Sequence, residues 1–134
     1  MPYVNVKLVK QQVTPVQKEQ FIAGLMDILA NIMGRDPNFT VIVLDEIDQA
    51  NWFIAGKPVL NNEHEMLSFV EIRLSKGTSD ATQMAEVIKA GKELTKRVLG
   101  TSDKTNYFII NELNPDGWGF GGQTMTYLNS LEEN

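Results

Sequence analysis

The chain has no cysteine and one histidine among its 134 residues. The missing cysteine excludes a disulfide scaffold and thiolate metal sites. One histidine is too few for a histidine-rich zinc or copper centre. The two together leave no serine or cysteine triad to build. Basic residues are also sparse: 12 Lys and Arg stand against 17 Asp and Glu, a net charge of -5. So acidic a chain lacks the broad positive field that nucleic acid requires, so no nucleic-acid partner is expected. No apolar run approaches the roughly 20 residues of a membrane span. The opening Met1-Pro2-Tyr3-Val4-Asn5-Val6-Lys7 lacks the basic start and apolar stretch of a signal peptide. The expectation is a cytoplasmic protein with no membrane partner. What is present, 43% hydrophobic and 22% charged residues, is the composition of a soluble globular chain. Its length predicts one domain with a substantial core.

The chain repeats itself. Shifted by 66 positions, residues 2–59 lie over 68–125 without a gap, and nine positions are identical. Typical composition would give about three or four by chance. The kinds of residue matched carry more weight, because Gly34/Gly100, Trp52/Trp118 and Gly56/Gly122 all fall in register. The repeats therefore span 2–59 and 68–125, and residues 60–67 connect them within a single domain over 1–134.

Each repeat reads as strand, helix, strand and hairpin. Val4, Val6 and Leu8 alternate with Tyr3, Asn5 and Lys7, and residues 69–75 repeat the pattern with Val70, Ile72 and Leu74. Period two with β-branched residues predicts strands with one face on a core. Thr14 and Gln17 form a capping box with Pro15 at the first helical position, and Asp80 and Gln83 match it in the second repeat. Phe21, Ile22, Leu25, Ile28, Leu29 and Ile32 make a helical stripe; Val87, Ile88, Leu94, Val98 and Leu99 make its counterpart. Gly34 and Gly100 predict left-handed helix ends. Second strands are expected at Phe39–Leu44 and Tyr107–Ile110. A long helix between two strands predicts parallel pairing. The fold class is thus α/β: tandem βαβ repeats share a four-stranded sheet with both helices on one face. The other face carries Tyr3, Asn5, Val9 and Phe69, a mixture suited to burial in an oligomer.

Other signals read as structural. Gly117-Trp118-Gly119-Phe120-Gly121-Gly122 is glycine-rich, but no helix pattern follows it, so a hairpin is expected and not a phosphate loop. Glu63-His64-Glu65 reads as a solvated linker and not a metal site. Glu132-Glu133-Asn134 reads as a frayed end.

Several of these residues together resemble the tautomerase superfamily, in particular its 4-oxalocrotonate tautomerase group. They are Met1-Pro2 opening into a strand, Val4-Asn5-Val6-Lys7-Leu8, Thr14-Pro15 with Gln17-Lys18, Asp45-Glu46, and Asn51-Trp52-Phe53-Ile54-Ala55-Gly56. The likeness covers nearly all of residues 2–59, and the second repeat follows in pattern. It implies a fused, two-repeat member with the tautomerase/MIF-like fold, assembling as a homotrimer. It also implies keto–enol isomerisation of a small 2-oxo acid or related carbonyl compound, with no metal or organic cofactor. Pro2 is the implied catalytic residue. Loss of Met1 would free its secondary amine, and an ordinary α-amino group titrates near about 7.7–8.0. Withdrawal from water and nearby cations lower that value, giving a base poised for proton transfer. The other readings are a superfamily hydratase or dehalogenase using Pro2 as an acid, and a non-enzymatic binding or scaffold trimer.

The resemblance also implies two carboxylate-binding arginines that this sequence lacks. Their positions hold Gln12 and Val41 in the first repeat, and Thr78 and Tyr107 in the second. Lysine does not reproduce bidentate carboxylate recognition, although Lys10 and Lys76 lie near the empty positions. By the family pattern the second repeat and a neighbouring subunit enclose Pro2, which points to Lys76, Thr78, Tyr107 and Trp118 as substrate-binding residues. Ser68 replaces proline at the head of the second repeat and has no free amine, so one proline site per chain is expected.

Overall fold

The computed structural model describes residues 2–59, 67–100 and 106–132. His64 and most of the expected connector, residues 60–66, lie outside them, as do Met1 and residues 133–134. Alternating residues form β1 (Tyr3–Val9), in which Val4, Val6 and Leu8 are fully buried. The helix α1 (Pro15–Met33) begins where the Thr14 hydroxyl accepts the Gln17 N–H at 3.2 Å and the Gln17 side chain accepts the Thr14 N–H at 2.9 Å. It stops at Gly34, whose φ of 64° is the left-handed conformation that glycine adopts without strain. The strand β2 (Val41–Ile47) follows, then a short hairpin of β3 (Phe53–Ile54) and β4 (Lys57–Pro58). The second repeat supplies β5 (Ser68–Ser75), α2 (Ala81–Leu99), β6 (Tyr107–Leu113) and the hairpin β7 (Gly119–Phe120) and β8 (Gln123–Thr124). Asp80 and Gln83 cap α2 reciprocally at 2.8 and 3.0 Å.

Some expected boundaries move. Phe39 lies outside β2, because Asp36 caps a tight 3-10 turn over Pro37–Phe39. Tyr107 does open β6, which runs on to Leu113. A further helix, α3 (Met125–Glu132), reaches into the segment read as a frayed end. Its first residue, Met125, is buried, and its N–H donates to the Trp118 carbonyl at 2.8 Å.

The four long strands form one sheet in the order β2-β1-β5-β6. β1 runs parallel to β2, and β5 parallel to β6, as the intervening helices require. The repeats meet through β1 and β5, which are antiparallel, with Tyr3 opposite Arg73 and Leu8 opposite Ser68. The head of each repeat therefore lies beside the far end of the other repeat's first strand. Val4, Val6, Leu8, Val70, Ile72 and Leu74 pack on one side against Phe21, Leu25 and Leu29 of α1 and Val87, Leu94 and Leu99 of α2. Both helices thus cover the same face. Ile88 leaves the expected stripe and is 44% exposed, whereas Gly91 and Thr95 of α2 are buried.

Gly91 is buried because Phe108 of β6 occupies the space beside it. A Cβ at Gly91 would lie 2.4 Å from the Phe108 ring. Gly91→Val is expected to destabilise the fold by about 1–3 kcal/mol through overpacking. Urea denaturation would register this as a lower midpoint.

Val9 does not join the open face. It packs with Val59, Leu67, Trp52 and Ile54 in a second cluster under the first hairpin. The turn that presents Trp52 is fixed by Asp48, whose carboxylate accepts the Ala50 N–H at 2.9 Å and the Gln11 amide at 3.0 Å. The Ala50 bond first, and then the Gln11 bond, hold the Asp48 carboxyl below the usual carboxylate range.

Candidate active site

Pro2 is buried immediately before β1, and its carbonyl accepts the Val41 N–H at 3.2 Å. That bond extends the β1–β2 pairing by one step and holds Pro2 at the sheet's end. The antiparallel register brings the end of β5 alongside. Trp118 then closes over from the second repeat, its indole N–H donating to the Ser75 hydroxyl at 3.1 Å. The result is a cavity of about 320 Å³. Pro2, Tyr3 and Val41 line one side, and Arg73, Leu113, Trp118 and Phe120 the other.

Arg73 is the cation of this cavity. Its guanidinium lies 5.9 Å from the centre of the Tyr3 ring, and one nitrogen pairs with Glu71 at 2.9 Å. A planar guanidinium has five N–H donors, so one carboxylate contact leaves others to face a ligand. Sequence reasoning did not select Arg73. The signal that finds it is the Tyr3–Arg73 register, which depends on two segments about seventy residues apart.

The expected site residues separate into two groups. Trp118 stands in the Pro2 cavity. Val41, at a position where the resemblance implies arginine, forms part of its apolar wall. Lys76 is exposed and follows β5 at the same end of the sheet; its backbone N–H donates to the carbonyl of Leu113, a wall residue, at 2.8 Å. The Thr78 hydroxyl donates to the Ser75 carbonyl at 2.6 Å and accepts from Arg35 at 2.8 Å. Neither Lys76 nor Thr78 lines the cavity. Tyr107 is 64% exposed and lines a different cavity, beside Ser68 and Trp52. One chain therefore joins Pro2 to Trp118 and keeps Tyr107 apart from them. Gln12, at another of the implied arginine positions, accepts the Leu67 N–H at 2.9 Å.

Among the described residues, no group of three or more His, Cys, Asp or Glu is placed to hold a metal ion. None of the described helices is long and apolar enough to cross a membrane.

Comparison with known proteins finds the same two units. The family described as tautomerase enzyme matches residues 2–61 and again 69–127. The chain belongs to the tautomerase family. Probable tautomerase K2 of Dickeya dadantii (strain 3937) is 38% identical over 65 residues, 48% of this chain and 97% of that protein. That relative corresponds in length to one repeat. The crystal structure of native fused 4-OT superposes with a TM-score of 0.84 at 20% identity, over 95% of this chain and 98% of that one. A wild-type fused 4-OT described as a symmetric trimer gives 0.80 at 20% identity, over 92% and 96%. At that identity the structural likeness establishes the fold alone. In this tautomerase-family chain the first match includes Pro2, and the second begins just after Ser68.

Proposed function

We propose that the chain is an isomerase that interconverts enol and keto forms of small 2-oxo acids or related carbonyl compounds, with Pro2 as general base. The carrying observation is the buried proline at the head of β1, opening into a cavity with Trp118, Phe120 and Arg73. Removal of Met1 makes the Pro2 nitrogen a secondary amine. Burial, and a guanidinium on the same wall, both favour its neutral form. The amine takes the proton of the enol hydroxyl, and the resulting ammonium delivers a proton to carbon. The net change is movement of one proton within the substrate, so no cofactor is consumed. The pyrrolidine ring gives the lone pair a defined direction. Trp118 and Phe120 supply the apolar walls, and Arg73 receives the substrate carboxylate.

A homotrimer accords with this reading. The sheet's outer strands carry exposed apolar residues, Val41 and Val43 on β2 and Tyr107 and Ile109 on β6. Such edges invite pairing with a neighbouring copy. Tyr107 would join a Pro2 cavity only from that copy, and Lys76 and Thr78 would border the entrance.

The test is intact mass of the native protein, followed by ketonisation of phenylenolpyruvate and 2-hydroxymuconate. Loss of Met1 with turnover of either enol is the expected result. Retained Met1, or a free proline without turnover, would leave a binding trimer. Arg73→Gln is expected to raise KM for phenylenolpyruvate by about tenfold with a smaller change in kcat, the signature of a lost binding contact. An unchanged KM would place the carboxylate elsewhere.

A further inference from the structure

The 66-residue repeat applies to cavities as well as to elements. At the opposite end of the sheet lies a larger cavity of about 510 Å³. Most of its walls correspond to those around Pro2 under the 66-residue shift. Ser68 stands for Pro2, Phe69 for Tyr3, Tyr107 for Val41, Lys7 for Arg73 and Trp52 for Trp118. The cation–ring contact is repeated too: the Lys7 ammonium lies 5.5 Å from the centre of the Phe69 ring.

Two differences decide what this cavity can do. Ser68 is an internal residue, and both its N–H and its hydroxyl donate to the Asn106 side chain, at 2.5 and 3.0 Å. It offers no amine base. The second difference is charge. Arg73 has Glu71 as its ion-pair partner, but the position equivalent to Glu71 in the first repeat is Asn5. Lys7 forms no ion pair among the described residues, although Asp45 lies opposite it on β2. The Lys7 ammonium is thus not held in an ion pair, and it stands beside the Phe69 ring and Phe53, which is 59% exposed.

We propose that this cavity is a second binding site, which holds a small aromatic carboxylate without turning it over. Lys7 pairs with the carboxylate, and Trp52 and Phe69 take the ring. The site is independent of the chemistry at Pro2.

The two tryptophans make the site separately readable, one in each cavity. Trp118→Phe leaves Trp52 as the sole indole. Titration with 3-phenylpropanoate, which has no enolisable ketone, is expected to change its fluorescence saturably. Adding Lys7→Gln is expected to weaken the fitted Kd by about tenfold or more, and Lys7→Arg to restore it. Neutral 3-phenyl-1-propanol should bind as poorly as the acid binds to Lys7→Gln. Pro2→Ala should leave the Trp52 titration unchanged, which separates this site from the proposed catalysis. Calorimetry on the chain with both tryptophans repeats the Lys7→Gln comparison without altering Trp118. A silent Trp52, a response indifferent to Lys7→Gln, or an isotherm unaltered by that change would overturn the proposal.

Discussion

Pro2→Ala is expected to lower kcat/KM for ketonisation of phenylenolpyruvate by about 10²–10⁴-fold, the usual contribution of a positioned general base. The fold should survive the change. Only the Pro2 carbonyl takes part in the sheet, through the Val41 N–H, and alanine keeps that carbonyl. What alanine loses is the ring that fixes φ and directs the nitrogen lone pair. A primary amine in its place is freer to rotate and easier to solvate. The rate should therefore fall while the melting temperature stays close to the parent's. If kcat/KM is instead unchanged, Pro2 is not the base, and the buried proline only anchors the start of β1.

Phe21→Ala is expected to carry the largest stability loss, about 3–5 kcal/mol. Phe21 is fully buried on the side of α1 that faces the sheet, in a cluster that also includes Val87, Leu94 and Leu99 of α2. Removing the ring deletes apolar contacts and leaves a void that the surrounding side chains fill only in part. Val16→Ala on the same helix is the control, because Val16 is 60% exposed and should change stability by no more than about 0.5 kcal/mol. Urea unfolding followed by tryptophan fluorescence measures both. Since the two repeats share that core, Trp52 and Trp118 should report one common transition, shifted as a whole by Phe21→Ala. Two separated transitions would show that each repeat folds on its own.

The amino-acid sequence by itself determined the local elements. Thr14 with Gln17, and Asp80 with Gln83, start helices through bonds that span only three residues. Gly34 and Gly100 end them through a conformation that other residues resist. The alternation of Val4, Val6 and Leu8 set which face of β1 is buried, and the 66-residue repeat predicted a second copy of all these features. Pro2 and Trp118 were singled out by the family resemblance, and the structure places both in one cavity.

What only the tertiary structure decided was which distant residues share a cavity. The antiparallel pairing of β1 with β5 places Arg73 beside Tyr3, and Tyr107 at the far end from Pro2. It also decided that Val9 joins a second cluster beneath Trp52, whereas Ser75, its counterpart, accepts a hydrogen bond from Trp118. The close fit of Gly91 to Phe108 belongs with these. Caps and periodicity arise from contacts within a turn or two of chain, so sequence spacing encodes them. A strand register between two repeats arises from burying both apolar faces against one pair of helices at once, and no local spacing records that choice.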